Sequence, residues 1–186
     1  MAEAKPRILQ DNRDMLWSML ALMALCAAFA AVAGLLSFSP KGPQQGPVPE
    51  FDAAASLASD ARHLPTAVRL PEVPEGWVSN SGSVRDLAGS DASHTGWVTP
   101  DRQYVELVQS LAQVDDFRRL QGGPRPDRST VDVDGRQWTV FGGDDVRPVW
   151  VTDLGDARVG VTGGAGEAEF RALAAAVQRA EPLPRQ

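Results

Sequence analysis

Any catalytic or metal centre in this chain must be assembled from few groups. His63 and His94 are the only imidazoles and Cys26 the only thiol. Neither histidine belongs to an H-x-x-x-H pair, so a metal site would draw mostly on Asp and Glu, and each histidine reads as an ordinary surface residue. A Ser–His–Asp arrangement using His94 has no G-x-S-x-G elbow to go with it. Cys26 lies inside an apolar run, which leaves the folded region without a disulfide or a thiol nucleophile. Asp132-Val133-Asp134-Gly135 and the pairs Asp115-Asp116 and Asp144-Asp145 are oxygen-rich. A calcium loop needs a longer ligand series ending in Glu. The first motif reads as a hairpin turn and the two pairs as solvated loop acids. Thr162-Gly163-Gly164-Ala165-Gly166 runs from a strand into a helix, but the full G-x-G-x-x-G is missing. Glu167 and Glu169 would sit where a pyrophosphate should bind, so the acids read as partners of the helix dipole. No cofactor and no metal follow from these residues.

Aromatic residues offer a different chemistry. Trp77, Trp97, Trp138 and Trp150 stand against a single tyrosine in the region beyond residue 50. Indole rings fill cores and also make stacking surfaces for ligands. Trp77 follows Pro74-Glu75-Gly76 at the approach to a strand. Trp77 and Trp97 are the candidate contacts for a ligand or partner.

Charge narrows the partners. The net charge is −6, and only Glu3, Asp11 and Asp14 of the 24 acids precede residue 42, against Lys5, Arg7, Arg13 and Lys41 of the 18 bases. The downstream region therefore carries the acidic excess. Such a surface repels phosphate backbones and argues against nucleic acid as a partner.

The elements that position these residues begin with a segment of another kind. Residues 1–15 read as a polar cytoplasmic tail. Leu16 to Phe38 carries no charge, and as a helix it would extend roughly 35 Å, enough for a ~30 Å hydrocarbon core. Lys5, Arg7 and Arg13 precede it and Lys41 alone follows closely, which places the N-terminus in the cytoplasm and the rest outside. Ala31-Val32-Ala33 has the form of a signal-peptide cleavage site. The apolar run continues past it through Leu35, Leu36 and Phe38, which favours a retained anchor. Leu25 before Cys26 argues against a lipoprotein. Small residues four apart (Ala24/Ala28, Ala27/Ala31, Ala30/Gly34) would permit close helix packing. Residues 39–50 hold four prolines and two glycines, SPKGPQQGPVPE, and read as a tether.

Residues 51–186 read as one extracytoplasmic domain. Phe51, Ala54, Ala55 and Ala58 have helical spacing, and Pro65 ends that helix. An extended approach, Leu70 to Trp77, leads into β runs over 78–87, 94–98 and 103–111, the last two joined by the turn Thr99-Pro100-Asp101-Arg102. Asp134-Gly135 is a type I′ signal inside a hairpin over 130–141. A second hairpin joins 149–152 to 158–162. Residues 120–128 read as a loop. Phe170, Leu173, Ala174 and Val177 form one apolar stripe on a closing helix. The fold class is α+β: an N-terminal transmembrane helix, then a mainly antiparallel sheet with helices at its two sequence ends packed on one face. The domain is expected to fold as a soluble monomer without metal or nucleotide.

Several segments taken together resemble a family. Val73-Pro74-Glu75-Gly76-Trp77, Thr95-Gly96-Trp97 followed by Tyr104-Val105-Glu106-Leu107-Val108-Gln109, Val133-Asp134-Gly135-Arg136-Gln137-Trp138 and Val159-Gly160-Val161-Thr162-Gly163 are similar to the actinobacterial membrane proteins grouped as domain of unknown function 4245. The resemblance spans nearly the whole chain and implies an anchored envelope protein. It carries no catalytic residues. The expected role is non-enzymatic: a module that sits in the bilayer and binds or scaffolds another membrane or envelope component. The sheet face left uncovered by helices would be the partner surface. The alternative is an enzyme or carrier for an envelope lipid or glycan, and it calls for a deep apolar cavity rimmed by paired carboxylates.

Overall fold

The structure is a computed structural model and describes residues 12–32, 51–120 and 124–185. It divides into two units, Met1–Gly46 and Pro47–Gln186. In the first unit α1 runs from Asn12 to Val32. Met15, Leu16, Trp17, Met19, Leu20, Leu22, Met23, Leu25 and Phe29 are all exposed on it. Among the described residues no helix is long and apolar enough to cross a membrane. The expected span of 16–38 enters the described part only to Val32. Its last six positions, the tail before Asn12 and the tether 39–50 lie outside the described residues.

The second unit opens with a capped helix. The Asp52 carboxylate accepts from the Ala55 amide at 2.9 Å, satisfying one of the amides a helix start leaves orphaned. Helix α2 spans Ala53–His63. It stops where Pro65 disfavours helical backbone in the residue before it, and Leu64 is extended. Seven strands follow: β1 Val78–Leu87, β2 Ser90–Val98, β3 Tyr104–Ser110, β4 Asp127–Val133, β5 Arg136–Gly142, β6 Val149–Asp153 and β7 Arg158–Gly163, then helix α3 Glu167–Arg179. All six pairings are antiparallel. The order across the single sheet is β1-β2-β3-β7-β6-β5-β4. Two meanders thus meet at a central seam where Leu107 faces Val161 and Val108 faces Gly160.

Both helices pack on one face, as expected. Val105, Leu107, Trp138, Trp150, Val159 and Val161 form a core with Phe170, Leu173 and Val177 of α3. The Trp150 and Phe170 rings meet edge to face, 5.6 Å between centroids. Helix α2 sits over β1 and β2 with Leu57 and Ala61 inward, and the Ser93 hydroxyl donates to the Asp60 carboxylate. The segment after α2 is tied to β3 by Gln109, whose side chain accepts from the Arg69 amide at 2.8 Å and donates to the Arg69 carbonyl at 2.9 Å. The Arg69 guanidinium reaches Asp156 at 2.8 Å and the Ala180 carbonyl, joining both ends of the domain.

The opposite face differs from the expectation of an open partner surface. The chain must travel from β3, at the sheet centre, to β4, at its far edge. That is four strand steps, roughly 19 Å at ~4.8 Å each, and the connection crosses this face. It carries a 3-10 helix, Val114–Arg119. Phe117 lies over Gly160 and joins Leu87, Val108, Phe141, Val149 and Val151 in a second core. Gly160 has no side chain, and only that lets the ring reach the sheet. The Arg118 guanidinium stacks over Phe141 at 5.0 Å. Arg125 is buried and donates to the Arg147 and Arg118 carbonyls, and burial lowers its pKa below the usual guanidinium value. The segment 120–128, read as a loop, already enters β4 at Asp127.

Candidate functional site

The remainder of that second face holds a polar cluster set by one turn. At Thr99–Arg102 the Arg102 amide bonds to the Thr99 carbonyl and the Thr99 amide to the Gln103 carbonyl, with Arg102 in the left-handed region at φ 60°. The turn fixes the register: Gly96 opposite Glu106, His94 opposite Val108. On the other side Ser83 lies opposite His94 and Ser81 opposite Gly96. Diagonal neighbours on one face are within reach of long side chains. His94 Nδ1 and Glu106 Oε1 lie 3.0 Å apart, and the Arg85 guanidinium is 3.9 Å from the same oxygen. His94 is 3 % exposed and Glu106 2 %. His94 is therefore a buried residue, which corrects the expectation of a surface histidine. His63 is exposed, with Nδ1 against the Ser59 carbonyl at 2.7 Å.

Gly96 makes room in this cluster. A methyl group there would overlap both the Tyr104 phenol and the Ser81 hydroxyl, which lie 3.3 Å apart over the glycine. Burial raises the Tyr104 pKa; the bond with Ser81 opposes the rise and the Glu106 carboxylate adds to it.

A carboxylate held against Nδ1 fixes the imidazole tautomer and leaves Nε2 as the basic nitrogen. That is the base-and-orienter half of a nucleophilic relay. The third position is not made: Ser83 Oγ is buried and, among the described residues, has no hydrogen-bond partner. The cluster is a carboxylate–imidazole pair buried within the sheet.

The predicted contact residues do not converge on it. Trp97 belongs to the helix-covered core at 3 % exposure, on the other face of the sheet. Its ring is closed off by the core around it, so it does not present the stacking surface expected of a contact residue. Trp77 is half-buried against that same core, beyond a turn in which its amide meets the Pro74 carbonyl and Gly76 takes φ 83°. The glycine-rich loop serves the sheet. Gly163, at φ 148°, lets its backbone close on Tyr104 and Val105. The Gly164 and Ala165 amides donate to the Tyr104 carbonyl at 2.8 and 3.2 Å. Among the described residues no group of three or more His, Cys, Asp or Glu side chains could hold a metal. A groove of about 320 Å³ opens between β4–β6 and the start of α3, lined by Val131, Val140, Trp150 and Phe170, with Glu167 the one carboxylate among its described lining.

Arg85, Tyr104 and Glu106 are the members that reading the sequence did not assemble. The available signal was the turn at Pro100, from which the pairing across β2 and β3 can be counted outward. Neither a curated protein nor a solved structure matches the chain. The family described as Protein of unknown function (DUF4245) matches residues 7–177, and the chain belongs to that family.

Proposed function

We propose that this chain is a single-pass, membrane-anchored module of the cell envelope, its N-terminus cytoplasmic and its 51–186 domain outside, where it binds or scaffolds another envelope component. The supporting observation is the apolar character of α1 on every side. Residues as far apart around the helix as Leu16, Trp17, Met19 and Leu22 are all exposed, a distribution that suits lipid rather than a one-sided packing surface. The uncharged run continues to Phe38, and the Lys/Arg bias across it sets the orientation. A membrane-impermeant protease applied to intact, wall-stripped cells degrades the domain on this reading; full protection refutes it. Intact-mass analysis of the membrane-extracted chain should find residues 16–38 retained.

The groove beside Trp150 is the cavity that both the binding and the carrier readings would use. Its wall is apolar at Val131, Val140, Trp150 and Phe170, its rim carries Ser129, Thr130 and Glu167, and the Glu169 carboxylate lies against Gly166 at the same helix start. The carrier reading keeps this groove as its site. Trp77, half-buried on the helix-covered side, is the proposed aromatic contact for a partner.

A further inference from the structure

The strand β4 closes the sheet at one side, and Asp127 to Thr130 and Asp132 are exposed along it. Its backbone phase follows from the hairpin. The two-residue turn Asp134-Gly135, with φ 49° and 81°, makes Val133 and Arg136 exchange backbone bonds. Antiparallel pairs alternate, so Val131 and Ser129 also turn their backbone groups toward β5. Arg128, Thr130 and Asp132 then point theirs outward. The Asp132 carbonyl is met by the Arg171 guanidinium at 2.7 Å, as an outward carbonyl would be, and pairing of a second strand there requires Arg171 to share that oxygen or yield it.

We infer that two copies of this chain pair through β4, antiparallel and centred on Thr130, to form one continuous sheet across a two-fold axis. The edge is self-complementary in this register and phase. Thr130 faces Thr130 of the second copy, and Arg128 faces Asp132 twice, once on each side of the axis. Opposite charges directly across a strand pair stabilise it, and like charges oppose it. Shifting the centre to Arg128 or Asp132 sets like charge against like, so the pattern selects the Thr130 register. It also bars the indiscriminate pairing that an apolar edge invites. Arg128 already meets Asp115 at 3.0 Å, and the Asp132 carboxylate accepts from the Gly135 amide at 3.1 Å and the Gln137 side chain at 3.3 Å; all of these contacts are exposed, and such contacts are readily exchanged. On the groove side Val131 of one copy falls beside Ser129 of the other, next to Val140 and Trp150. A single strand pair is a small interface. Confinement of the anchored copies to one membrane would raise their effective concentration, but the pairing itself does not require the anchor. It replaces the monomer expected from sequence.

Cysteine cross-linking of the full chain, extracted from membranes and carrying Cys26→Ser, tests the register. A hydrogen-bonded pair sets Cα atoms about 5.5 Å apart, inside the ~4.4–6.8 Å disulfide window. Thr130→Cys should yield a disulfide-linked dimer under mild oxidation, well ahead of Asp144→Cys on an exposed loop. Arg128→Cys alone should stay monomeric, because its two copies lie four residues apart, ~13 Å. Arg128→Cys mixed with Asp132→Cys should give the heterodimer. Arg128→Asp should abolish the Thr130→Cys product, and adding Asp132→Arg should restore it, which separates charge pairing from misfolding. No dimer from Thr130→Cys, a rate equal to that of Asp144→Cys, or self-linking of Arg128→Cys overturns the inference.

Discussion

Phe117 and Gly160 make a contact whose energetics can be worked out from geometry. A Cβ built on Gly160 would lie 2.6 and 2.8 Å from two ring carbons of Phe117, where carbon atoms prefer about 3.5–4.0 Å. In Gly160→Ala the ring must therefore withdraw by about 1 Å from a site where it is fully buried. Overpacking of this kind costs about 1–3 kcal/mol. Phe117→Ala alone should cost about 3–5 kcal/mol through lost burial and the cavity left behind. Combined, the two should not add. With the ring gone the new methyl group meets open space, and alanine in a strand is favoured over glycine by roughly 0.5–1 kcal/mol. Gly160→Ala should then be neutral or slightly stabilising in the Phe117→Ala background, a coupling of about 1–3 kcal/mol. Urea unfolding of the 51–186 domain, followed by tryptophan fluorescence, measures all four corners of the cycle. An equal cost for Gly160→Ala in both backgrounds would refute the packing of the crossing segment on the sheet.

Three other outcomes are expected. Leu173→Asp places a carboxylate in the core under α3, where Leu173 is fully buried, at several kcal/mol against a total stability of ~5–15; it should unfold or aggregate while Asp144→Ala melts like wild type, and a wild-type melt for Leu173→Asp contradicts the packing of α3. Gln109→Leu strips the buried Arg69 amide and carbonyl of their partners, about 1–3 kcal/mol for each group; a loss below about 1 kcal/mol in urea would mean that Gln109 does not tie the chain to β3. The raised pKa of Tyr104 means that the native state holds its proton longer than the unfolded chain does. Its contribution to stability is full below the unfolded pKa near 10 and is lost as pH rises through the folded value. Tyr104 is the only tyrosine, so phenolate absorbance reports it directly, and Tyr104→Phe should flatten the alkaline fall in stability.

The elements legible in the sequence are those whose signal is local. Asp134-Gly135 needs positive φ at both positions, and Asp-Gly supplies it cheaply. Phe170, Leu173 and Val177 repeat at the helical period because one face of α3 meets the core. The turn between β1 and β2 escaped because Ala88 takes φ 53°, against the preference of its side chain. Its local markers are Gly89, at φ 83°, and Asp86, whose carboxylate caps the Gly89 amide at 2.7 Å. The crossing segment escaped for a different reason. Val114–Arg119 is too short for a periodic stripe, and Phe117 is explained only by Gly160, with three strands of sequence between them. The polar cluster is non-local in the same sense. Glu106 is buried because β3 lies at the sheet centre with both faces covered, a position that nothing in its own segment announces.

The central seam also dictates an order of events during synthesis. The residues that complete β3, Arg158–Gly163, are separated from it by the crossing segment and three further strands. A growing chain can close its first meander early, but β3 then stands as an open edge, with Val105 and Leu107 on its flank. Edges of this kind recruit strands from neighbouring chains, and pairings of large sequence separation form slowly. Chains halted before Arg158 should therefore be the aggregating species, and the centre of the sheet is among the last parts of the domain to be made safe.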